Sequence, residues 1–152
     1  MKEKLIKIFA ILLISTVNAS SFGSYSGSFL RMGTSARAIA MGNGFTSELD
    51  NGFTAYHNPA SLPFSLKRQI GFSNHFLPLD RRLMAASFST PLPPTASLSI
   101  GWISAGVDKI DGRNSSGKHT QYLSTSENAF VISFAQRFFP WLSIGMNLKI
   151  LQ

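Results

Sequence analysis

Between residues 142 and 151 the chain alternates. Leu142, Ile144, Met146, Leu148 and Ile150 fall on one side; Ser143, Gly145, Asn147 and Lys149 fall on the other. An extended strand sends successive side chains to opposite faces, so this stretch has one apolar and one polar face. The same period recurs four times upstream. Residues 68–76 group Ile70, Phe72 and Phe76, and residues 82–89 group Met84, Ala86 and Phe88. Residues 95–105 set Ala96, Leu98, Ile100 and Trp102 against Ser97, Ser99 and Gly101. Residues 128–138 set Phe130, Ile132 and Phe134 against Ala129, Ser133 and Arg137. Five such strands in succession read as an antiparallel meander. Each apolar stripe must face either a protein core or lipid.

The connections bear on that choice. Leu77-Pro78-Leu79-Asp80 and Pro91-Leu92-Pro93-Pro94 break strands, because proline has no N–H to give to a ladder, and Phe139-Pro140 reads as a tight turn. Residues 106–127 are polar, rich in Gly, Ser, Asn and Lys, and read as one long loop. Membrane barrels keep short turns on the periplasmic side and longer loops outside. With 106–127 outside, both the proline-rich break before the third strand and the Phe139-Pro140 turn become periplasmic, as that rule requires. Phe76, Trp102, Phe138, Phe139 and Trp141 then lie near strand ends, where an aromatic girdle belongs. Asn74 and Gln136 fall on the lipid side near strand ends, and Ile103 and Val131 on the interior side, where a plug would cover them. A soluble β-sandwich produces the same periodicity and stands as the alternative.

The N-terminus reads as an export signal. A short basic start, Met1 to Lys4, precedes an apolar run from Leu5 to Ile14, and Val17-Asn18-Ala19 offers a cleavage site. The run is shorter than the roughly 20 residues a membrane-spanning helix takes. The alternatives are an N-terminal anchor or a buried strand. The whole chain carries a formal net charge of +7. Cleavage after Ala19 would remove Lys2, Glu3, Lys4 and Lys7 and leave a basic remainder with no dense patch. Its basic doublets, Lys67-Arg68 and Arg81-Arg82, sit beside strand ends, so interfacial or loop charge is the better reading than nucleic-acid binding. The absence of cysteine excludes disulfides, thiolate zinc sites, iron–sulfur centres and a lipoprotein anchor.

Residues 29–62 carry more than periodicity. Phe29-Leu30-Arg31-Met32-Gly33-Thr34-Ser35-Ala36-Arg37-Ala38-Ile39-Ala40-Met41-Gly42-Asn43-Gly44-Phe45 is followed, after Asp50-Asn51, by Ala55-Tyr56-His57-Asn58-Pro59-Ala60-Ser61-Leu62. Residues 35–41 suit one or two helical turns. Ala36, Ala38, Ala40, Gly42 and Gly44 would let backbone pack closely, and Asn58 before Pro59 is a turn signal. This stretch resembles the opening of the PorV/PorQ-type outer-membrane proteins, within the wider FadL-like barrel superfamily. The resembling positions are Gly33, Ala36, Arg37, Ala38, Met41 and Gly42, then Tyr56, Asn58, Pro59 and Ala60; His57 departs from a commonly aromatic position. The likeness continues at Gly101-Trp102, Gly106-Val107, Ile110 and Arg113, and through the hairpin that ends in Gly145, Asn147 and Lys149. An Ala/Gly-rich soluble helix and a turn is the bland alternative.

The resemblance implies an all-β fold: an antiparallel outer-membrane β-barrel with an N-terminal hatch that plugs its lumen. The expected organisation is a signal peptide over 1–19, a plug segment over 20–64 and barrel strands over 65–152. Gly33, Ala36, Arg37, Met41, Gly42, Asn58, Pro59 and Ala60 are the expected structural residues of the plug. Five strands are fewer than the eight or so that close a single-chain membrane barrel, and Gln152 falls where the fifth strand should turn. An incomplete barrel is therefore expected.

No catalytic constellation is present: no nucleophile elbow, no Walker loop, no His-Glu-x-x-His. His57 near Asp50 could seed a triad with a serine, but a polar plug residue is the better reading. His75 and His119 read as strand-end and loop residues. Asp108, Asp111 and Asn114 recur loosely like calcium ligands, out of register with a calcium loop. No cofactor or metal is expected. The leading expectation is a non-enzymatic outer-membrane protein. By resemblance, it would take part in type IX secretion with outer-membrane lipid, secreted proteins and other secretion components as partners, and no nucleic acid. Transport of hydrophobic small molecules by a FadL-like lumen is the alternative; a soluble periplasmic β-protein follows, and an outer-membrane hydrolase is the most distant.

Overall fold

The computed structural model describes residues 27–152. The signal peptide over 1–19 and the start of the plug segment, 20–26, lie outside the described residues. The rest is all-β with a short, mainly helical segment ahead of it. Five strands, β1 (Gln69–Leu77), β2 (Arg81–Leu92), β3 (Ala96–Arg113), β4 (His119–Phe139) and β5 (Leu142–Leu151), form one antiparallel sheet in sequence order. The sheet is open, with β1 and β5 at its edges.

The register aligns the apolar stripes into rows. Ile70, Phe88, Ile100, Ile132 and Leu148 are paired neighbours across all five strands, and so are Phe72, Ala86, Trp102, Phe130 and Ile150. All of these occupy the face turned away from the N-terminal segment, here called the far face. Ile70 is 81% and Phe72 69% exposed, whereas Leu83 and Ala85 on the opposite, near face are 1% and 0% exposed. The near face carries small residues: Ala85, Ser97, Ser99, Ala129, Ser133 and Ala135 are all buried.

The segment that covers the near face is built from short helical pieces. A 3₁₀ turn (Ser28–Met32) leads into helix α1 (Ala36–Ala40), then α2 (Thr54–His57) and a second 3₁₀ turn (Pro59–Phe64). Ser35 caps α1, its Oγ accepting from the Ala38 N–H at 3.2 Å. Asn58 caps the second 3₁₀ turn, its Oδ1 accepting from the Ala60 N–H at 3.2 Å, with Pro59 at the first helical position where a missing N–H does no harm. Phe29 and Phe53 from this segment join Leu83, Ala85, Ile103 and Ala129 of the sheet in the main apolar cluster. Leu62 and Ala55 make a second with Ala135.

Three expectations need correction. Residues 106–127 are not a loop: β3 and β4 run on as a two-stranded ribbon, pairing Ile110 with Leu123 and Asp111 with Tyr122, and turn over Asn114 to Lys118. A ribbon beyond the body of a sheet is solvated on both faces, so its polar composition hid its extended backbone. Pro91 does not break β2; it pairs with Ser97, and the turn comes only after Leu92. Finally, of the small residues expected to pack closely, only Ala38 is buried, while Ala36, Ala40, Gly42 and Gly44 are exposed. The close approaches occur at other glycines.

Candidate functional site at the seam between the N-terminal segment and the sheet

Those glycines lie on both sides of the seam. A Cβ added to Gly52 would sit 2.6 Å from the Gly71 nitrogen of β1, and one added to Gly145 of β5 would sit 2.5 Å from the Pro59 carbonyl carbon. Segment backbone thus rests directly on strand backbone at both edges of the sheet. Two side chains lock these approaches. Ser87 Oγ of β2 donates to the Gly52 carbonyl at 2.6 Å. Asn147 Nδ2 of β5 donates to the Ala55 carbonyl at 2.9 Å and to the Tyr56 carbonyl at 3.4 Å. Asn147 satisfies backbone acceptors that the short helix α2 leaves unpaired at its end.

Around them lies a polar and aromatic cluster. Lys149 Nζ stands 4.2 Å from the centre of the Tyr56 ring, a cation–π contact. The Tyr56 hydroxyl donates to the Leu30 carbonyl at 2.7 Å, joining the first 3₁₀ turn to α2. His57 Nε2 lies 3.1 Å from Thr34 Oγ1, and its ring packs at 5.1 Å against both Phe45 and Tyr56. Burial holds the His57 imidazole below its ordinary pKa of 6.5, and the nearby Lys149 charge adds to this. Burial pushes the Tyr56 hydroxyl above 10.0. Both groups are therefore held neutral near pH 7.

The predicted plug residues divide into three groups. Asn58, Pro59 and Ala60 lie at the seam: Asn58 also donates from Nδ2 to the Thr46 carbonyl at 3.0 Å, and Pro59 and Ala60 lie against Gly145. Gly33 is buried with φ of 93°, and a Cβ there would meet Asn43 Oδ1 at 2.6 Å, so the position requires glycine. Ala36, Arg37, Met41 and Gly42 instead lie on the exposed side of the segment, away from the sheet. Arg37 pairs with Glu48 at 3.3 Å, an exposed ion pair worth under about 1 kcal/mol. Gly52, Gly71 and Ser87 were not singled out from sequence; isolated glycines within a strand pattern are a signal for close backbone approach, and Gly71 is one.

The chemical candidates fall apart. Asp50 accepts from Gln69 Nε2 at 3.4 Å, while His57 turns to Thr34, so no triad forms. His75 bonds Ser73 at 2.6 Å. Asp108 pairs with Arg82; Asp111 binds Arg113 at 2.7 Å and His119 at 2.5 Å; Asn114 Oδ1 accepts from Ser116 and Lys118 to close the ribbon turn. Among the described residues no group of three or more His, Cys, Asp or Glu could hold a metal ion.

What the arrangement can do is mechanical. It holds an N-terminal segment against the small-residue face of a sheet by backbone contact, two side-chain anchors and a cation–π contact. No known family, curated protein or solved structure matches the chain.

Proposed function

We propose that this chain forms part of the wall of an outer-membrane β-barrel, with residues 28–64 acting as a plug on the lumen side. The observation that carries the proposal is the inverted polarity of the sheet. Most of its large apolar side chains lie on the far face, where no other element of the described residues covers them; the few on the near face, Leu83, Ile103 and Val131, are buried. Each such side chain gains about 1.5–3 kcal/mol when it leaves water, so a face with two rows of them, broken only at Ala86, needs an apolar medium. On β4 the outward apolar stripe runs from Phe130 to Phe138, interrupted only by Gln136, eight residue steps or about 27 Å of strand. At the usual tilt of about 40° that is about 21 Å of height, close to the roughly 25 Å apolar band of a membrane barrel.

The role we propose follows the resemblance: a non-enzymatic PorV/PorQ-like protein that engages exported proteins in type IX secretion, with the β3–β4 ribbon outside the cell. The transport alternative has less support. The space between plug and sheet is a cavity of about 20 Å³ lined by such residues as Phe53, Tyr56 and Ile103, rather than a passage.

Two experiments test this. Ile132 lies near the middle of the outward stripe. Ile132→Lys should destabilise the chain folded in lipid vesicles by about 2–4 kcal/mol, measured by urea titration. An unchanged midpoint refutes the membrane orientation. Photo-crosslinking from Tyr122, 70% exposed on the ribbon, should capture exported proteins bearing a C-terminal secretion domain. Capture of none, together with uptake of a labelled fatty acid, would favour transport.

A further inference from the structure

The far face is not uniformly convex. At Ala86 the row from Phe72 to Ile150 dips, because a methyl stands among Phe72, Phe88, Ile100, Trp102 and Phe130. The result is a slot of about 450 Å³ floored by Ala86 and the backbone of β1, β2 and β3. Trp102 forms one wall, held by its indole N–H donating to Asn128 Oδ1 at 3.3 Å.

Along the strands the polarity above this slot changes in steps. Two residues on, about 7 Å, the same face shows Asn74, Ser104 and Asn128 in one paired row with Met84. Two residues further, about 14 Å from Ala86, comes Arg82, lying across Gly106, with its neighbour Phe76 at the β1 end. Arg82 Nη1 is 3.4 Å from Asp108, and its side chain is 53% exposed, leaving further guanidinium donors available. Apolar slot, amide-and-hydroxyl row and guanidinium therefore follow one another in the order of acyl chain, ester region and phosphate in a lipid.

We infer that this is a lipid site: a phosphate-bearing anionic lipid seats one acyl chain over Ala86 and its headgroup on Arg82. The inference rests on the membrane-wall reading above. A guanidinium near the membrane surface contributes about 1 kcal/mol towards an anionic headgroup, or about fivefold in relative affinity over a zwitterionic lipid. Arginine is suited to this, because its planar donors match phosphate oxygens.

The chain has two tryptophans, and this makes the test direct. Trp141→Phe leaves Trp102 as sole reporter in the slot. The full chain is reconstituted in phosphatidylcholine vesicles doped with dibrominated phosphatidylglycerol or dibrominated phosphatidylcholine, and bromine quenching of Trp102 is followed. The expected result is quenching by the glycerol lipid about fivefold beyond its mole fraction. It should fall to the mole fraction in Arg82→Gln and drop for both lipids in Ala86→Leu, which fills the slot. Quenching that tracks mole fraction alike for both lipids overturns the site. Trp102→Phe, which leaves Trp141 near the opposite end of the strands, separates the two failures. If Trp141 is quenched while Trp102 shows no preference, the site fails and the membrane reading stands. If neither tryptophan is quenched, the membrane reading fails and the site with it.

Discussion

The substitution Gly145→Ala tests the seam at its tightest point. The added Cβ would lie 2.5 Å from the Pro59 carbonyl carbon and 2.9 Å from Ala60 Cα. Both are backbone atoms of a proline-started turn capped by Asn58, so neither can swing aside as a flexible side chain would. The segment must move off the strand or β5 must bend. Overpacking of this kind costs about 1–3 kcal/mol. The main effect should be on docking of the segment, because Gly145 also pairs with Ala135 inside the ladder, where alanine fits well. Native-state hydrogen exchange in detergent micelles reads it. The Ser61 amide, bonded to the Asn58 carbonyl, should exchange about 5- to 150-fold faster, while amides in the β2–β3 ladder hold their rates. Gly101→Ala is the control on the same face: its Cβ would have no neighbour closer than 3.7 Å and should leave every rate nearly unchanged. Equal rates at Ser61 in the two variants would refute the argument that backbone contact at Gly145 sets the seam.

Other substitutions probe the remaining anchors. Ser87→Ala leaves the Gly52 carbonyl without its 2.6 Å donor and should lower the urea midpoint by the equivalent of about 1–3 kcal/mol. Thr54→Val should raise stability by about 1 kcal/mol, because Thr54 Oγ1 is buried with no hydrogen-bond partner; a lower midpoint would contradict this. Lys149→Met removes the cation–π contact with Tyr56 and should lower it by about 0.5–1 kcal/mol, most visibly at low salt. The fold depresses the His57 pKa, so it binds fewer protons than the unfolded chain in mild acid. Docking of the segment should therefore weaken as pH falls through 6.5 and level off below the folded pKa. His57→Gln should flatten that dependence in exchange measurements. At the ribbon tip, hydrogen bonds from His119 and then Arg113 hold Asp111 below its ordinary 3.8. Order there should persist above that pH and fade as the carboxylate is protonated in stronger acid, as NMR shifts of His119 would report.

How much of this was legible in the sequence depends on what set each feature. Strand positions were readable because a half-covered strand must alternate, and Ile70, Ile100, Ile132 and Leu148 obey that pattern without regard to what covers them. The ribbon from 106 to 127 was unreadable by the same logic: with neither face covered, Thr120 to Ser126 has no reason to alternate. At the seam, Asn58, Pro59 and Ala60 announced a turn through local chemistry. Their contact with Gly145, and that of Tyr56 with Asn147 and Lys149, spans about ninety residues and leaves no local trace. Ala36, Gly42 and Gly44 misled because small size permits close packing without requiring it. A glycine inside a strand pattern, such as Gly71 or Gly145, signals a close approach, but only the folded structure shows that the segment is what arrives there.

The two faces of the sheet also constrain each other. In a soluble sandwich the inner faces of two sheets stand about 10 Å apart, filled by large interdigitating side chains. The near face cannot serve that role, because Ser97, Ser99, Ser133 and Ala135 are too short to reach a second sheet and segment backbone already lies on Gly71 and Gly145. A sandwich would have to use the far face, against a partner sheet such as that of a second copy of the chain. This alternative differs from the membrane wall in one measurable respect. Ile132→Lys would then split the dimer and yield a soluble monomer, since the charge would open a protein interface to water. In lipid it has no such release: the lysine must be desolvated or the strand displaced, and the folded population falls. Sedimentation without detergent, set beside folding yield in vesicles, distinguishes the two. A monodisperse, folded Ile132→Lys monomer in buffer would refute the membrane wall. Aggregation in buffer with reduced yield in vesicles is the result that the polarity of the two faces demands.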